Sequence, residues 1–231
     1  MALREKPKVP SNPALQCRRV GLLGGAFDPP HDGHLRLAQL AWENLMLDEL
    51  RLVPANIAPQ KCQPTAPVEL RLEMLKGMLE GSPYTIDCIE LELGSVSFTA
   101  NTLETLCKRE PDSAWILIMG SDQAVAFETW RNSARILELA SVSIAPRPNS
   151  ECDAQAAFEL PVFLSERLSQ KWSGLPGQVI LLPGTKMNLA SSQIRKSLAQ
   201  NNRAIGLSGQ VETTILRERL YRCISVLNSK S

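Results

Sequence analysis

His31 and His34 are the only two histidines in a chain of 231 residues, and they stand three positions apart. They belong to the string Gly24-Gly25-Ala26-Phe27-Asp28-Pro29-Pro30-His31-Asp32-Gly33-His34-Leu35, which follows a short apolar run. The paired glycines let the backbone approach a ligand closely, because no Cβ intervenes. A helix opening at Gly33-His34 would turn unpaired N–H groups and the positive end of its dipole toward an anion. From that turn both imidazoles reach one phosphate chain, and either can carry a proton beside a polyanion. A glycine pair alone is usually just a turn, and a lone histidine at a helix start is usually a cap. Their coincidence points to phosphate chemistry.

The elements that must hold this loop are legible on either side of it. Arg19–Leu23 reads as a buried strand entering the glycine turn, and Leu35, Ala38, Trp42 and Leu45 recur at helical spacing after it. Leu50–Val53, Trp115–Met119, Val142–Ala145 and Val179–Leu182 read as further strands, the second of them apolar enough to be covered on both faces. Tyr84–Leu91 alternates and predicts a partly exposed strand. Val68–Leu79 (with Leu72, Leu75 and Leu79 on one face), Thr99–Lys108, Arg135–Leu139, Ser192–Ala199 and Gln210–Tyr221 read as helices. This alternation predicts an α/β fold with a doubly wound, mainly parallel sheet and a small helical portion at the C-terminal end. In such a sheet ligands bind beyond the carboxyl ends of the strands, where the strand order reverses. Residues 1–18, polar and proline-rich, are expected to be a flexible extension, and 19–231 a single domain, with Asn149–Pro161 as a surface insertion.

Composition narrows the partners. A net charge of +1 without a long basic run argues against nucleic acid, and no apolar run is long enough to span a membrane. Six cysteines at 17, 62, 88, 107, 152 and 223 form no Cys-x-x-Cys pair, which favours a reducing cytoplasm over a disulfide scaffold. No zinc-type cluster is present, so no protein metal site is expected.

The histidine string resembles the H/T-x-G-H signature of the nucleotidyltransferase superfamily. More closely, it resembles the G-G-x-F-D-P-x-H-x-G-H form of bacterial nicotinate mononucleotide adenylyltransferases. Val53–Lys61 is similar to that family's P-x-x-x-P-P-H-K segment, with Gln60 where His is usual. Ser97-Phe98-Thr99-Ala100-Asn101-Thr102-Leu103 resembles S-Y-T-x-x-T-L, with Phe98 for Tyr, and Gly120-Ser121-Asp122 followed by Trp130 resembles G-x-D…W. Ala145–Pro148 matches an R-P segment, and Asn188–Arg195 resembles I-S-S-T-x-I-R with Ala190 in place of a serine.

The resemblance implies a Rossmann-like nucleotidyltransferase fold and adenylyl transfer from ATP to nicotinic acid mononucleotide, giving deamido-NAD and pyrophosphate. It assigns catalysis to His31, His34 and Arg195. It assigns ATP binding to Gly24, Gly25, Ala26, Phe27, Gly33, Gly120, Asp122, Ser191, Ser192 and Ile194 together with those three. The acceptor falls to Lys61, Ser97, Phe98, Thr99, Asp122, Trp130 and Arg147, with Trp130 stacked on the pyridine ring and Lys61 and Arg147 at the phosphate. Mg²⁺ is implied as the companion of the triphosphate, held mainly by its oxygens.

Alternatives remain open at this stage: the amide mononucleotide or another phosphorylated acceptor, and a nucleotide-binding module without turnover. A class I aminoacyl-tRNA synthetase fragment is disfavoured, because Lys186-Met187 is followed by Asn188-Leu189-Ala190 rather than by the rest of that family's loop.

Overall fold

The computed structural model describes residues 17–57, 66–94, 96–146, 160–184, 187–201 and 204–221. Six strands are found among them: β1 (Arg18–Gly25), β2 (Glu49–Pro54), β3 (Thr85–Ile86), β4 (Ser113–Gly120), β5 (Ser141–Ala145) and β6 (Val179–Leu181). They form one sheet of order β3-β2-β1-β4-β5-β6, parallel at every pairing. The expected parallel sheet is present, and each crossover carries helical structure.

The helices are α1 (Asp32–Asn44), α2 (Val68–Met78), α3 (Ile89–Glu92), α4 (Thr99–Arg109), α5 (Ser121–Val125), α6 (Ser133–Leu139), α7 (Val162–Ser165), α8 (Ser191–Asn201) and α9 (Gly209–Arg217). A 3₁₀ turn covers Phe127–Thr129. Alternation along β4 divides the core. Ile116 and Ile118 pack on the side of α1, α2 and α9 with Leu37, Leu75 and Ile215, whereas Trp115, Leu117 and Met119 pack with Leu103, Leu106 and Ile136 from α4 and α6. Side chains on both faces are therefore buried, which is why β4 reads as an unbroken apolar run.

One sequence expectation needs correction. Tyr84–Leu91 is not one strand: pairing stops at Ile86, and α3 begins at Ile89. The cause is local, since the Asp87 carboxylate accepts a hydrogen bond from the Ile89 amide at 3.0 Å and turns the chain out of the sheet. Of the expected α2 face, Leu75 and Leu79 are buried and Leu72 is half-buried, and the helix also takes Met74, Met78 and the charged Arg71 into the core. Most of the expected insertion, residues 149–159, lies outside the described residues, as do residues 1–16.

The strand order places the reversal between β1 and β4. From β1 the chain runs outward through β2 and β3, then returns to the other side of β1. Loops leaving the carboxyl ends of β1 and β4 diverge there and leave a crevice.

Candidate active site

A cavity of about 470 Å³ fills this crevice. Gly24, Gly25 and Ala26 line it from the end of β1, and Leu117 and Ile118 from β4. Ser97, Phe98 and Thr99 line it from the start of α4, and Asp122, Trp130 and Arg131 from the segment after β4. All the acceptor residues expected from sequence that lie in the described part of the chain therefore share one cavity with the glycine loop. Lys61 and Arg147, with Gln60, lie outside the described residues. Gly120 is buried at the junction of β4 and α5, where it turns the chain so that Asp122 reaches the cavity.

Beyond the glycines the loop leads into α1, with His31 as its N-cap residue in extended conformation. The His31 backbone N–H donates to Nδ1 of His34 at 3.2 Å. The two imidazoles lie against each other with ring centroids 3.8 Å apart. Because Nδ1 of His34 accepts, its Nε2 carries the proton, so a neutral imidazole already presents a donor. Phe27, which is buried, sets its ring edge-on to His34 at a centroid distance of 4.9 Å. The Phe27 ring is thus a buttress for His34.

The histidines are unequal in access. His31 is only 2% exposed, whereas His34 is half-buried. Gly33 makes their stacking feasible. A Cβ there would stand 2.9 Å from Nδ1 of His31 and 3.3 Å from Cβ of Leu189, closer than side chains pack.

The start of α8 closes on this loop from the far end of the chain. Arg195 donates through Nη1 to the Asp28 carbonyl at 2.6 Å, and its guanidinium lies 3.7 Å from the Asp28 carboxylate. Ser191 donates its hydroxyl to the Pro29 carbonyl at 2.9 Å. Ser192 is exposed at the same helix start. Ile194 is different: its side chain is buried in the core, and its amide donates to the Ala190 carbonyl at 3.0 Å. The burial of its side chain gives Ile194 a packing role at this position in the motif.

Sequence reasoning missed three residues that anchor the loop. Asp28, 2% exposed, accepts from the Tyr221 hydroxyl at 2.7 Å and from the Ala66 amide at 3.1 Å. Arg71, equally buried, donates from Nη1 to the Ala26 carbonyl at 2.7 Å and to the Ala55 carbonyl at 2.9 Å. Burial pulls the Arg71 guanidinium below its ordinary range and holds the Tyr221 phenol well above its own, the latter reinforced by the adjacent Asp28 carboxylate. A fourth residue is Glu90, buried in the cavity wall, where its carboxylate accepts from the Thr102 hydroxyl at 2.9 Å. Burial raises the Glu90 pKa above the usual carboxylate range, against the opposing hydrogen bonds from Thr102 and Ser97. The signal for Arg71 was available: an arginine in the register of core-facing Met74, Leu75 and Met78 calls for a buried partner.

No group of three or more His, Cys, Asp or Glu side chains converges among the described residues.

Comparison with known proteins agrees with the loop and the sheet. Residues 22–197 match the cytidylyltransferase-like family. A probable nicotinate-nucleotide adenylyltransferase of Bordetella avium is 36% identical over 208 residues, covering 89% of this chain and 98% of its own. A second, from Hydrogenovibrio crunogenus, is 34% identical over 182 residues, covering 78% and 86%. Among solved structures, Plasmodium falciparum nicotinic acid mononucleotide adenylyltransferase complexed with NaAD superposes with a TM-score of 0.69 at 16% identity. It covers 88% of this chain and 97% of that one, and at such identity it speaks for the fold alone. On the strength of the long, near-complete matches to its relatives, the chain belongs to the nicotinate-nucleotide adenylyltransferases of the cytidylyltransferase-like family.

Proposed function

We propose that the protein transfers the AMP moiety of MgATP to the phosphate of nicotinic acid mononucleotide, releasing pyrophosphate and forming deamido-NAD in the cytoplasm. The observation that carries this reading is the continuity of the Gly24-Gly25-Ala26 turn, which lines the acceptor cavity, with the His31–His34 turn that follows it. One loop thereby touches both substrates where they must meet.

The chemistry asks little of a base. A phosphomonoester has its second pKa near ~6, so the attacking phosphate is mostly a dianion at neutral pH. The task is to bring two anions together and to neutralise the charge that moves onto the leaving pyrophosphate. In this reading His34 donates through Nε2 to the triphosphate, and His31 fixes its orientation through the 3.2 Å amide bond. Arg195, one-third exposed at the start of α8, directs its remaining donors to the β- and γ-phosphates while Nη1 stays on the loop. Ser192 adds a contact at the same helix end. In the cavity the pyridine ring stacks on Trp130, Asp122 takes ribose hydroxyls, and Thr99 with the backbone of Ser97 and Phe98 meets the ring substituent. Lys61 and Arg147 are the proposed partners of the acceptor phosphate.

The test is pyrophosphate release from MgATP with nicotinic acid mononucleotide in one reaction and the amide in another. Rapid release with the acid supports the assignment. No release with either, from folded protein, overturns it.

A further inference from the structure

The cavity wall carries three ionisable side chains among its described lining: Glu90, Asp122 and Arg131. Arg131 is the single cation. It immediately follows Trp130, and its guanidinium carbon lies 4.6 Å from the centroid of the Phe98 ring. A guanidinium held over an aromatic face by cation–π attraction still has N–H donors to offer a planar anion. Phe98 is also the N-cap residue of α4, and its helix opens into the same cavity with no acidic residue in its first turn. Two independent sources of positive potential, a stacked guanidinium and the amide end of a helix, thus lie at one end of the cavity.

The remaining charges fit an anion there. Glu90 is buried in the same wall, and its burial favours the protonated form. That direction lessens its opposition to an anion nearby. Asp122 is exposed at the other side of the opening, beyond β4, where hydroxyl groups suit it better than anions.

An acceptor mononucleotide carries anionic groups at its two ends. Its phosphate must reach the ATP α-phosphorus beside the glycine loop, which leaves the ring substituent for the end walled by Trp130, Arg131 and Phe98. We propose that Arg131 is the specificity-determining residue for the acid form of the acceptor: held on the Phe98 ring, its guanidinium binds the carboxylate on the pyridine ring. This rests on the reading that a pyridine mononucleotide occupies the cavity. An amide in the same place can accept a hydrogen bond through its carbonyl oxygen but brings no charge to pair with the guanidinium.

Steady-state kinetics of Arg131→Ala and Arg131→Lys, with nicotinic acid and nicotinamide mononucleotides as alternative acceptors, tests this. Circular dichroism and thermal melting confirm folding, which an exposed position should preserve. For Arg131→Ala, kcat/KM with the acid is expected to fall roughly 10- to 100-fold, the size of a lost charge-assisted hydrogen bond. With the amide it should stay within about 3-fold. Arg131→Lys should fall between, keeping the charge but losing the fork. Equal losses with both acceptors would overturn the proposal, because Arg131 would then serve the shared phosphate, the ribose or the packing of Phe98. Unchanged selectivity would overturn it too, leaving Arg131 a solvated charge. If the unaltered protein joins neither acceptor to ATP, it is the assignment of the activity that fails, and this is seen before any variant is made.

Discussion

The amide of His31 donates to Nδ1 of His34 at 3.2 Å, so one histidine of the pair orients the other through its backbone. The bond commits His34 to a donor at Nε2 without any need for positive charge, and two imidazoles stacked at 3.8 Å would not readily hold two charges. His34→Ala should therefore lower kcat about 100- to 1000-fold, as loss of a donor to developing charge does elsewhere. The KM for ATP should move only a few-fold, because ground-state phosphate contacts persist. An unchanged kcat in a rapid-quench assay would remove His34 from the transition state.

Gly33→Ala should be severe although it adds one methyl group. The new Cβ would lie 2.9 Å from the buried His31 ring, which has nowhere to retreat. Overpacking of this kind costs about 1–3 kcal/mol. Urea denaturation should show that loss, accompanied by a fall in turnover that exceeds it. A variant with wild-type stability would mean that the loop relaxes around the methyl.

Tyr221, just beyond α9, is tied to the histidine loop through Asp28, at 2.7 Å. Removing the hydroxyl in Tyr221→Phe takes one donor from the buried Asp28 carboxylate while the Ala66 amide at 3.1 Å is kept. The expected cost is about 1–3 kcal/mol. Because Asp28 also meets Arg195, kcat should decline in parallel, while selectivity between acid and amide acceptors is untouched.

The chain has two tyrosines, and both are shielded. Burial pushes Tyr84 up to about 12, and burial with the Asp28 carboxylate pushes Tyr221 higher still. A raised phenol keeps its proton longer in the folded state than in the unfolded one. Its contribution to stability is therefore complete below roughly pH 10, the ordinary phenol value, and is lost as pH rises through the folded value. Absorbance at the phenolate band should show little ionisation at pH 10 and then a cooperative rise with unfolding. Two tyrosines titrating near pH 10 in folded protein would contradict the burial.

Glu90 has the corresponding property on the acid side. Its raised pKa means the folded state holds the proton more tightly, so its contribution is full below the usual carboxyl range and declines as pH rises through the folded value. Glu90→Gln keeps an oxygen to accept from Thr102, now at 2.9 Å, and cannot ionise. The variant should be at least as stable as the parent at pH 8, with the gap closing toward pH 4. Parallel denaturation curves at the two pH values decide this.

Much of this was legible because it is local. The glycine turn, the histidine spacing and the apolar runs of β1, β4 and β5 are written within a dozen residues each, and they recover the sheet and the loop. What escaped is set by distance. Asp28 was visible as a letter in the motif, but its partners Ala66, Arg195 and Tyr221 come together only in the fold. Arg71 stands outside the Leu72, Leu75 and Leu79 face read from the sequence, and the carbonyls it bonds, at Ala26 and Ala55, lie on other elements. In Tyr84–Leu91, alternation mimicked a strand until the Asp87 side chain captured the Ile89 amide. Arg131 has no place in the motifs read from the sequence, because Phe98, the ring it lies over, stands 33 positions earlier.

The bond from Tyr221 to Asp28 spans 193 positions, and those from Ser191 and Arg195 to the same loop span 162 and 167. A ribosome adding roughly 5–20 residues per second makes the histidine turn on the order of 10–40 s before Tyr221 exists. Throughout that interval the turn has its glycines and imidazoles but not its far-end fastenings. A nascent chain thus displays the signature string before the residues that fasten it are made, and a product ended before Tyr221 lacks the bond to Asp28.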